Sequence, residues 1–397
     1  MPLNSRQAML TALIAATVLN LPFGTVYAFS VFLKPMEALL AISRAEMTLV
    51  FALATISLTA GMNLAPRLYR SLSPALLVLV CGVGSAAGLL LTSRASGFAE
   101  LALGYGVLFG IGGGICFIVM QQAVNQASPS TSGLVNGYLV SLYPLGAMIG
   151  APVFGWAIQA HGLRVTMAGL AATVLVTAVI AASMLRGAGI RMHDPVAPPA
   201  SAGAGERGVF WCLFTVFFLA AAAGLTVLSQ AAGIVQAYGG KTALALGATT
   251  LITGVIAAMR VGGGALVDRY AAPRVACAAH LWSLAGALIL TLWPGPLVSV
   301  LGLAMIGMGY GVISGLTAGV IPRYWHRNLF GHIASRMYIA WCIAAISLPV
   351  LAGWLFDRTQ AYVAVVMIAA VINVLGALLA LRLPMPMPVR ASAASTS

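Results

Sequence analysis

Residues 187–208 read GAGIRMHDPVAPPASAGAGERG, and this polar segment interrupts a chain that is otherwise strongly apolar. On both sides of it, apolar stretches of twenty or more residues recur along the chain. Of the 397 residues, 61% are apolar and 7% are charged, whereas about a quarter of the residues in an ordinary soluble domain are charged. A bilayer core about 30 Å thick needs about 20 helical residues to cross it. The composition therefore predicts an all-α membrane protein.

Twelve membrane spans are predicted from the apolar stretches that lie between charged or turn-rich breaks. They cover residues 8–33, 46–66, 72–93, 99–124, 134–158, 163–185, 209–236, 243–266, 274–294, 297–321, 333–356 and 360–381. The first stretch follows Arg6 as in a signal peptide, but eleven more follow it, so we interpret it as an uncleaved span.

The polar segment divides these spans into two halves of six. The predicted domains are an N-terminal six-helix bundle over 1–186 and a C-terminal six-helix bundle over 209–382. A cytoplasmic linker over 187–208 joins them, and a disordered tail follows over 383–397. Linker and tail have little apolar surface to bury, which predicts flexible chain.

The net charge of +13 is distributed as in a membrane protein rather than as in a nucleic-acid-binding protein. If the N-terminus is cytoplasmic, 13 of the 20 Lys and Arg residues fall on the cytoplasmic side and six on the other side. This bias predicts that both termini are cytoplasmic. The remaining basic residue, Arg260, lies inside span 8. We expect a multi-pass protein of the bacterial inner membrane. It would contact the lipid bilayer and would not bind nucleic acid.

The two halves have the pattern of a duplication. Span 4 and span 10 each carry glycine at every fourth position, at Gly106, Gly110, Gly114 and at Gly307, Gly311, Gly315. Such a ladder makes a flat helix face on which a neighbouring backbone packs closely. A second related pair is residues 61–67, GMNLAPR, after span 2 and residues 264–274, GALVDRYAAPR, after span 8. Two such halves predict a site at the midplane between them, with rocking of one half against the other.

The segment after span 8 resembles the signature loop of the major facilitator superfamily through Gly264, Asp268, Arg269 and Arg274. The resemblance covers almost the whole chain. It implies the major facilitator fold, in which twelve transmembrane helices form two six-helix pseudo-repeats. It also implies that Asp268, Arg269 and Arg274 form a charge relay that latches the cytoplasmic side. The segment after span 2 departs from this pattern at residues 65–66, so a first-half latch is not implied with the same force.

Within the superfamily, the chain is most similar to the oxalate/formate antiporter and monocarboxylate porter group. The resemblance lies in residues 24–32 of span 1 (GTVYAFSVF), in Arg260 of span 8 and in residues 330–357 around span 11. Oxalate-type members have a lysine in span 11 that pairs with the second carboxylate of a dicarboxylate. This chain has Trp341 and Cys342 in that region, so its single deep cation favours a monocarboxylate.

Arg260 is the strongest candidate for a substrate anchor. An arginine inside a span costs about 2.5–3.5 kcal/mol on insertion scales, and none of the seven Asp and Glu residues lies in the interior of a predicted span. A substrate carboxylate would supply the missing anion, because it matches the planar fork of the guanidinium. The alternative is a side chain that extends to the cytoplasmic surface along the last turns of the span.

Other side chains predicted to line the substrate cavity are polar or aromatic groups at middle depth. They are Tyr27 in span 1, Phe117 and Gln121 in span 4, Tyr143 in span 5, Tyr310 in span 10 and Trp341 in span 11. Aromatic faces would limit the size of a substrate, and a tyrosine hydroxyl could orient a hydroxy- or keto-acid. The alternative for each ring is plain helix packing.

The sequence lacks the motifs of several other classes of protein. The five cysteines all lie in spans without metal-binding spacing, and no phosphate loop or nucleophile elbow is found. We therefore expect no metal, no cofactor and no enzyme activity. The predicted function is secondary active transport of a small monocarboxylate by alternating access, by proton symport or anion exchange, in a fold that can work as a monomer. The alternative is a multidrug or other organic-solute exporter of the same fold.

Overall fold

The structure is a computed structural model that describes residues 4–128, 132–192 and 204–385. Within those residues, twelve helices are long and apolar enough to cross a membrane. Their bounds are Ser5–Ala28, Arg44–Leu68, Pro74–Arg94, Phe98–Ala127, Gly133–His161, Leu163–Gly187, Ala204–Ala237, Thr242–Arg269, Ala272–Leu292, Pro296–Tyr324, Phe330–Thr359 and Val363–Ala380. They are called spans 1 to 12 below. The twelve predicted spans are confirmed. Residues 193–203 of the predicted linker and 386–397 of the predicted tail lie outside the described residues.

Span 1 differs most from its prediction. It is α-helical over Ser5–Phe23, tightens into a 3-10 turn over Gly24–Ala28 and is followed by a separate helix over Ser30–Leu40. Pro22 lies at the end of the α-helical part, where its missing N–H weakens the helical ladder. The tight turn carries Tyr27 and sets its position relative to the other spans.

Several acidic residues stabilise helix ends instead of facing the interior. Ser43 and Glu46 form a capping box at the start of span 2, in which the Ser43 backbone N–H donates to the Glu46 carboxylate at 2.7 Å. Arg44 donates to Glu37 at 2.9 Å at the same end. Glu100 accepts from the Ser96 hydroxyl at 3.0 Å at the start of span 4. These contacts keep the acids at the periphery of the helical bundle.

The two glycine ladders pack as predicted. A Cβ atom at Gly114 would lie 1.9 Å from the carbonyl oxygen of Leu58, so span 4 lies directly on span 2. In the other half, a Cβ atom at Gly315 would lie 1.8 Å from the carbonyl oxygen of Arg260. Span 10 therefore fixes the backbone of span 8 at the position of its one buried arginine.

The internal repeat is shifted by one residue from the predicted pairing of Gly61 with Gly264. A Cβ atom at Gly61 would lie 2.2 Å from the Ile111 carbonyl oxygen, and one at Gly263 would lie 2.0 Å from that of Val312. Ile111 and Val312 each follow the second glycine of a ladder, so Gly61 corresponds to Gly263. The sequence did not fix this pairing, because residues 262–264 are three consecutive glycines and each of them could be aligned with Gly61.

We call the membrane side at which span 1 begins and span 12 ends the terminal face. Hydrogen bonds join the two halves there. The Gly331 N–H donates to the Gln122 side chain at 2.7 Å, and the Asn63 amide donates to the Ser335 carbonyl at 2.9 Å. Arg327 donates to the Ser128 carbonyl at 3.2 Å. The structure is therefore closed at the terminal face.

Candidate functional site

Arg260 lies in the interior of the helical bundle, and its side chain is 4% exposed. Helical side chains lean toward the N-terminus of their own helix, and span 8 begins at the face opposite the terminal face. The guanidinium therefore points toward the middle of the membrane. Its NH1 group donates to the Val140 carbonyl at 2.7 Å, and its NH2 group donates to the Tyr310 hydroxyl at 3.0 Å. It does not extend to the terminal face.

The Val140 carbonyl is free to accept from Arg260 because of a proline one turn later in span 5. In an α-helix, a carbonyl accepts from the N–H four residues ahead. Four residues after Val140 the chain has Pro144, which has no N–H. The sequence therefore leaves an unused backbone acceptor inside the membrane, and Arg260 uses it. This pairing was not predicted from the sequence, although Pro144 was the signal.

The charge of Arg260 has no acidic partner in the part of the chain that the structure describes. The side-chain ion pairs there are Arg44 with Glu37 and Arg323 with Asp268. The Tyr27 and Tyr310 ring centroids lie 5.9 Å and 5.4 Å from the guanidinium carbon, within cation–π range. The Arg260 Nε–H has no hydrogen-bond partner among the described residues. The Nε–H is thus left for another molecule.

The aromatic residues predicted from the sequence form one connected cluster with this arginine. The Tyr27 ring lies 5.8 Å from Trp341 and 6.4 Å, edge on, from Tyr143, measured between ring centroids. Phe117 packs against Tyr143 at 4.6 Å. The Tyr143 hydroxyl donates to the Gly113 carbonyl at 3.0 Å, so it is already used within the protein. Spans 1, 4, 5, 8, 10 and 11 thus contribute to one cluster.

Tyr338 belongs to the same cluster and was not predicted from the sequence. Its ring centroid lies 5.3 Å from that of Phe117, and its hydroxyl lies beside the Gln121 amide. Tyr338 precedes Trp341 by three residues and so shares its helix face. That spacing was the available signal.

Asp268 joins the two halves at the terminal face. Its carboxylate accepts from the backbone N–H groups of Gly133 and Leu134 at 2.7 and 2.9 Å, at the start of span 5, where the helix dipole favours an anion. Its ion-pair partner is Arg323, at 2.6 Å. Arg269 and Arg274 are exposed and form no ion pair with Asp268 in the described structure. Arg323, the ion-pair partner of Asp268, was therefore not predicted, because only the loop that contains Asp268 was considered.

The pattern of the whole chain identifies its family. Residues 10–349 match the sequence profile of the Major Facilitator Superfamily. The chain belongs to this superfamily. It is therefore a multi-pass membrane transporter rather than a member of an enzyme family, and the major facilitator fold predicted from the sequence is confirmed.

Three proteins are similar to this superfamily member in sequence or in fold. The uncharacterized MFS-type transporter YhjX of Escherichia coli strain K12 is 22% identical over 352 residues, which are 87% of this chain and 88% of YhjX. The outward conformation of FucP has a TM-score of 0.72 at 14% identity, over 93% of this chain and 97% of FucP. The proton:xylose symporter XylE, bound to 6-bromo-6-deoxy-D-glucose, has a TM-score of 0.67 at 17% identity, over 96% and 97%. At these identities the two structures establish the fold and not the substrate.

Two residues at equivalent positions of the internal repeat hold the halves together at the terminal face, and they do so by different interactions. Gln122 lies twelve residues after Gly110, and Arg323 lies twelve residues after Gly311. Arg323 acts through Asp268 at the start of span 5. Gln122 accepts directly from the Gly331 N–H at the start of span 11. At the terminal face, span 5 is thus held through an ion pair, and span 11 is held by a neutral amide.

Proposed function

We propose that this transporter moves a small monocarboxylate across the membrane by alternating access, with Arg260 as the carboxylate anchor. The observation that supports the proposal most is the buried guanidinium, whose Nε–H is unused and which has no acid beside it in the described structure. Nothing in the described part of the protein neutralises this charge, and a substrate anion can. Charge-assisted hydrogen bonds to a carboxylate are about twice as strong as those between neutral groups.

The surroundings of Arg260 favour one carboxylate and a small molecule. Its described contacts, Val140, Tyr310 and Tyr27, are uncharged, so a second carboxylate would have no second cation there. Rings from spans 1, 4, 5 and 11 pack at centroid distances of 4.6–6.4 Å, and this close packing favours a compact substrate. Arg269 and Arg274 are proposed to support the Asp268 latch through their charge, because Arg269 follows Asp268 at the exposed end of span 8 and Arg274 is exposed in the first turn of span 9.

The charge of the site also bears on coupling. A bound carboxylate neutralises Arg260, so the empty and loaded carriers differ by one charge. This difference is compatible with exchange of one anion for another and with symport of an anion and a proton. The terminal face is proposed to be cytoplasmic, because the sequence assigns 13 Lys and Arg residues to that side and six to the other.

A ligand panel tests the proposed function. Purified protein in detergent is heated with monocarboxylates, dicarboxylates, neutral sugars and lipophilic cations, and its melting temperature is recorded. A ligand that binds the folded state stabilises it by RT ln(1 + [L]/Kd), so weak ligands register at high concentration. We expect monocarboxylates alone to raise the melting temperature, and Arg260→Ala to abolish that rise. Arg94→Ala, which alters an exposed arginine at the end of span 3, should keep it.

Three outcomes would contradict the proposal, the first two its substrate class and the third its anchor. Stabilisation by sugars alone would indicate a neutral solute, and stabilisation by lipophilic cations alone would indicate a multidrug exporter. An undiminished effect of monocarboxylates on Arg260→Ala would remove Arg260 from the site and leave the substrate class intact.

Substitution of Pro144 by alanine should weaken carboxylate binding without loss of stability. Alanine restores a backbone N–H at this position, which would compete with Arg260 for the Val140 carbonyl and so disturb the placement of the guanidinium. We expect affinity for the best acid of the panel to fall about threefold to tenfold, the equivalent of one hydrogen bond. Pro152→Ala, in the same span, is the matched control and should bind normally. Equal affinity of Pro144→Ala and wild type would show that the free carbonyl does not position Arg260.

A further inference from the structure

A groove between spans 3 and 6 opens at the terminal face and has a volume of about 450 Å³. Span 3 begins at this face with Pro74, and span 6 ends at it with Gly187. We call it the span 3–6 groove. It belongs to the N-terminal half alone, and none of its lining residues is part of the cluster around Arg260. It is therefore a separate candidate for a binding site.

The end of span 6 brings two arginines to this groove. Gly189 has a φ of +63°, in the left-handed region that favours glycine. The Ile190 N–H donates to the Leu185 carbonyl at 3.4 Å, and the Gly189 N–H donates to the Arg186 carbonyl at 3.1 Å, which is the Schellman pattern of a helix end. The chain turns back after this cap, so that Arg191 lines the same groove as Arg186.

The surface end of the groove is positively charged. Arg186 and Arg191 are exposed, and neither forms an ion pair in the part of the chain that the structure describes. The other wall is the start of span 3, where the Leu76 N–H donates to the Ser73 hydroxyl at 3.3 Å. The positive end of that helix dipole adds to the charge of the arginines. None of the described residues that line the groove is acidic. An anion is therefore favoured at this end.

The deeper end of the groove is apolar. It is lined by Leu76 and Leu79 of span 3 and by Val179 of span 6. Leu76 is 45% exposed and Val179 is 44% exposed, so this end is open on the surface that faces the bilayer. Val179 lies seven residues before Arg186, which is about 10 Å along a helix. The groove thus offers cations at the membrane surface and an apolar channel below them.

We propose that the span 3–6 groove binds one phospholipid with an anionic headgroup. The phosphodiester lies at Arg186 and Arg191, and the first part of one acyl chain lies along Leu76 and Val179. A phosphate accepts charge-assisted hydrogen bonds from guanidinium groups, and basic pockets between membrane helices bind anionic headgroups. A soluble anion would contact only the arginines, whereas a lipid also covers the apolar end. This site does not depend on the proposed carboxylate substrate.

Native mass spectrometry of the purified protein tests the proposal. The protein is titrated with phosphatidylglycerol, or with zwitterionic phosphatidylcholine of the same acyl chains, and the dissociation constant of the first bound lipid is measured. The test variant is the double substitution Arg186→Gln and Arg191→Gln. The matched control is Arg6→Gln with Arg207→Gln, which removes the same charge from exposed positions at the terminal face outside the groove.

A second variant blocks the groove and keeps both arginines. Ser183 is exposed on the groove wall, so Ser183→Phe places a ring where the lipid is proposed to lie. Leu175→Phe, at an exposed position of span 6 outside the groove, is its matched control. Unchanged gel-filtration profiles and melting temperatures in phosphatidylcholine show that the variants fold.

We expect wild type and both controls to bind phosphatidylglycerol about tenfold more tightly than phosphatidylcholine. The double arginine variant and Ser183→Phe should bind phosphatidylglycerol only as well as phosphatidylcholine. Equal loss in the two double variants would show a general effect of surface charge, and tight binding by Ser183→Phe would place the lipid elsewhere. Displacement of phosphatidylglycerol from wild type by inorganic phosphate would indicate a site for soluble anions. Any of these results, or equal binding of the two lipids by wild type, would overturn the proposal.

Discussion

Exchange of Arg260 for lysine is expected to lower monocarboxylate uptake at least about 100-fold, although the positive charge is retained. In the structure the guanidinium serves partners on two different spans, Val140 through NH1 and Tyr310 through NH2, and keeps Nε for a ligand. An ammonium group carries its three donors on one nitrogen and cannot serve both partners and the substrate. Hydrogen bonds to charged groups contribute about 1.5–3 kcal/mol each, so loss of two such bonds accounts for the expected factor.

The measurement is uptake of the best labelled acid of the panel into proteoliposomes, normalised to the amount of reconstituted protein. Arg94→Lys is the matched control and should transport normally, because Arg94 is exposed at the end of span 3. Arg260→Ala should be at least as impaired as Arg260→Lys, since it removes the charge as well. Uptake by Arg260→Lys at the wild-type level would show that a charge alone suffices, or that the substrate binds elsewhere.

The fold could be predicted from the sequence because a membrane span has a strong, local signature. Twenty apolar residues in succession are rare outside a bilayer, and each of the twelve stretches matches a helix. The break in span 1 was missed because Gly24 and Pro22 are common in membrane helices that do not break. The one-residue shift of the repeat was missed because any of three adjacent glycines satisfies a sequence pattern, whereas only Gly263 meets the equivalent backbone.

The candidate site could be predicted only in part. Arg260 could be predicted because an isolated charge in a span is costly. The aromatic candidates could be predicted because they lie near the middle of their spans. Val140 and Arg323 could not, since a backbone acceptor and an arginine at the terminal face acquire their roles only through contacts between distant spans. Gln122 was hidden because its role depends on the start of span 11, more than 200 residues away. Contacts across the two halves are thus what single-sequence reasoning lacks.

Closure at the terminal face depends on how near the backbones of the two halves approach each other. Gly264, in span 8, lies against the start of span 5. A Cβ atom there would be 2.1 Å from the Gly133 carbonyl oxygen and 3.0 Å from the Gly137 Cα atom. Carbon atoms in contact normally lie about 3.5–4.0 Å apart. Asp268, one turn further along span 8, makes its hydrogen bonds to Gly133 only while this approach is kept.

Gly264→Ala is therefore expected to abolish transport by preventing closure at the terminal face. Because the clash lies between the halves and not within one, each six-helix bundle should still fold and insert. The open state is detected by the rate at which a maleimide labels a single cysteine placed at Asn63, in a background without the five natural cysteines. Asn63 contacts the Ser335 carbonyl across the closed interface, so labelling should be slow in wild type and fast in Gly264→Ala.

Gly262→Ala is the matched control for this experiment. It lies on the same helix two residues earlier, and the nearest atom to its new Cβ would be the Met259 sulfur, at 3.8 Å. An ordinary contact of this kind should leave uptake and labelling at wild-type levels. Normal transport by Gly264→Ala, with slow labelling of the cysteine at position 63, would contradict the prediction. It would show that spans 5 and 8 can move apart enough to fit a methyl group and still close. The loss of transport should instead accompany fast labelling, because a carrier that cannot close at one face cannot open productively at the other.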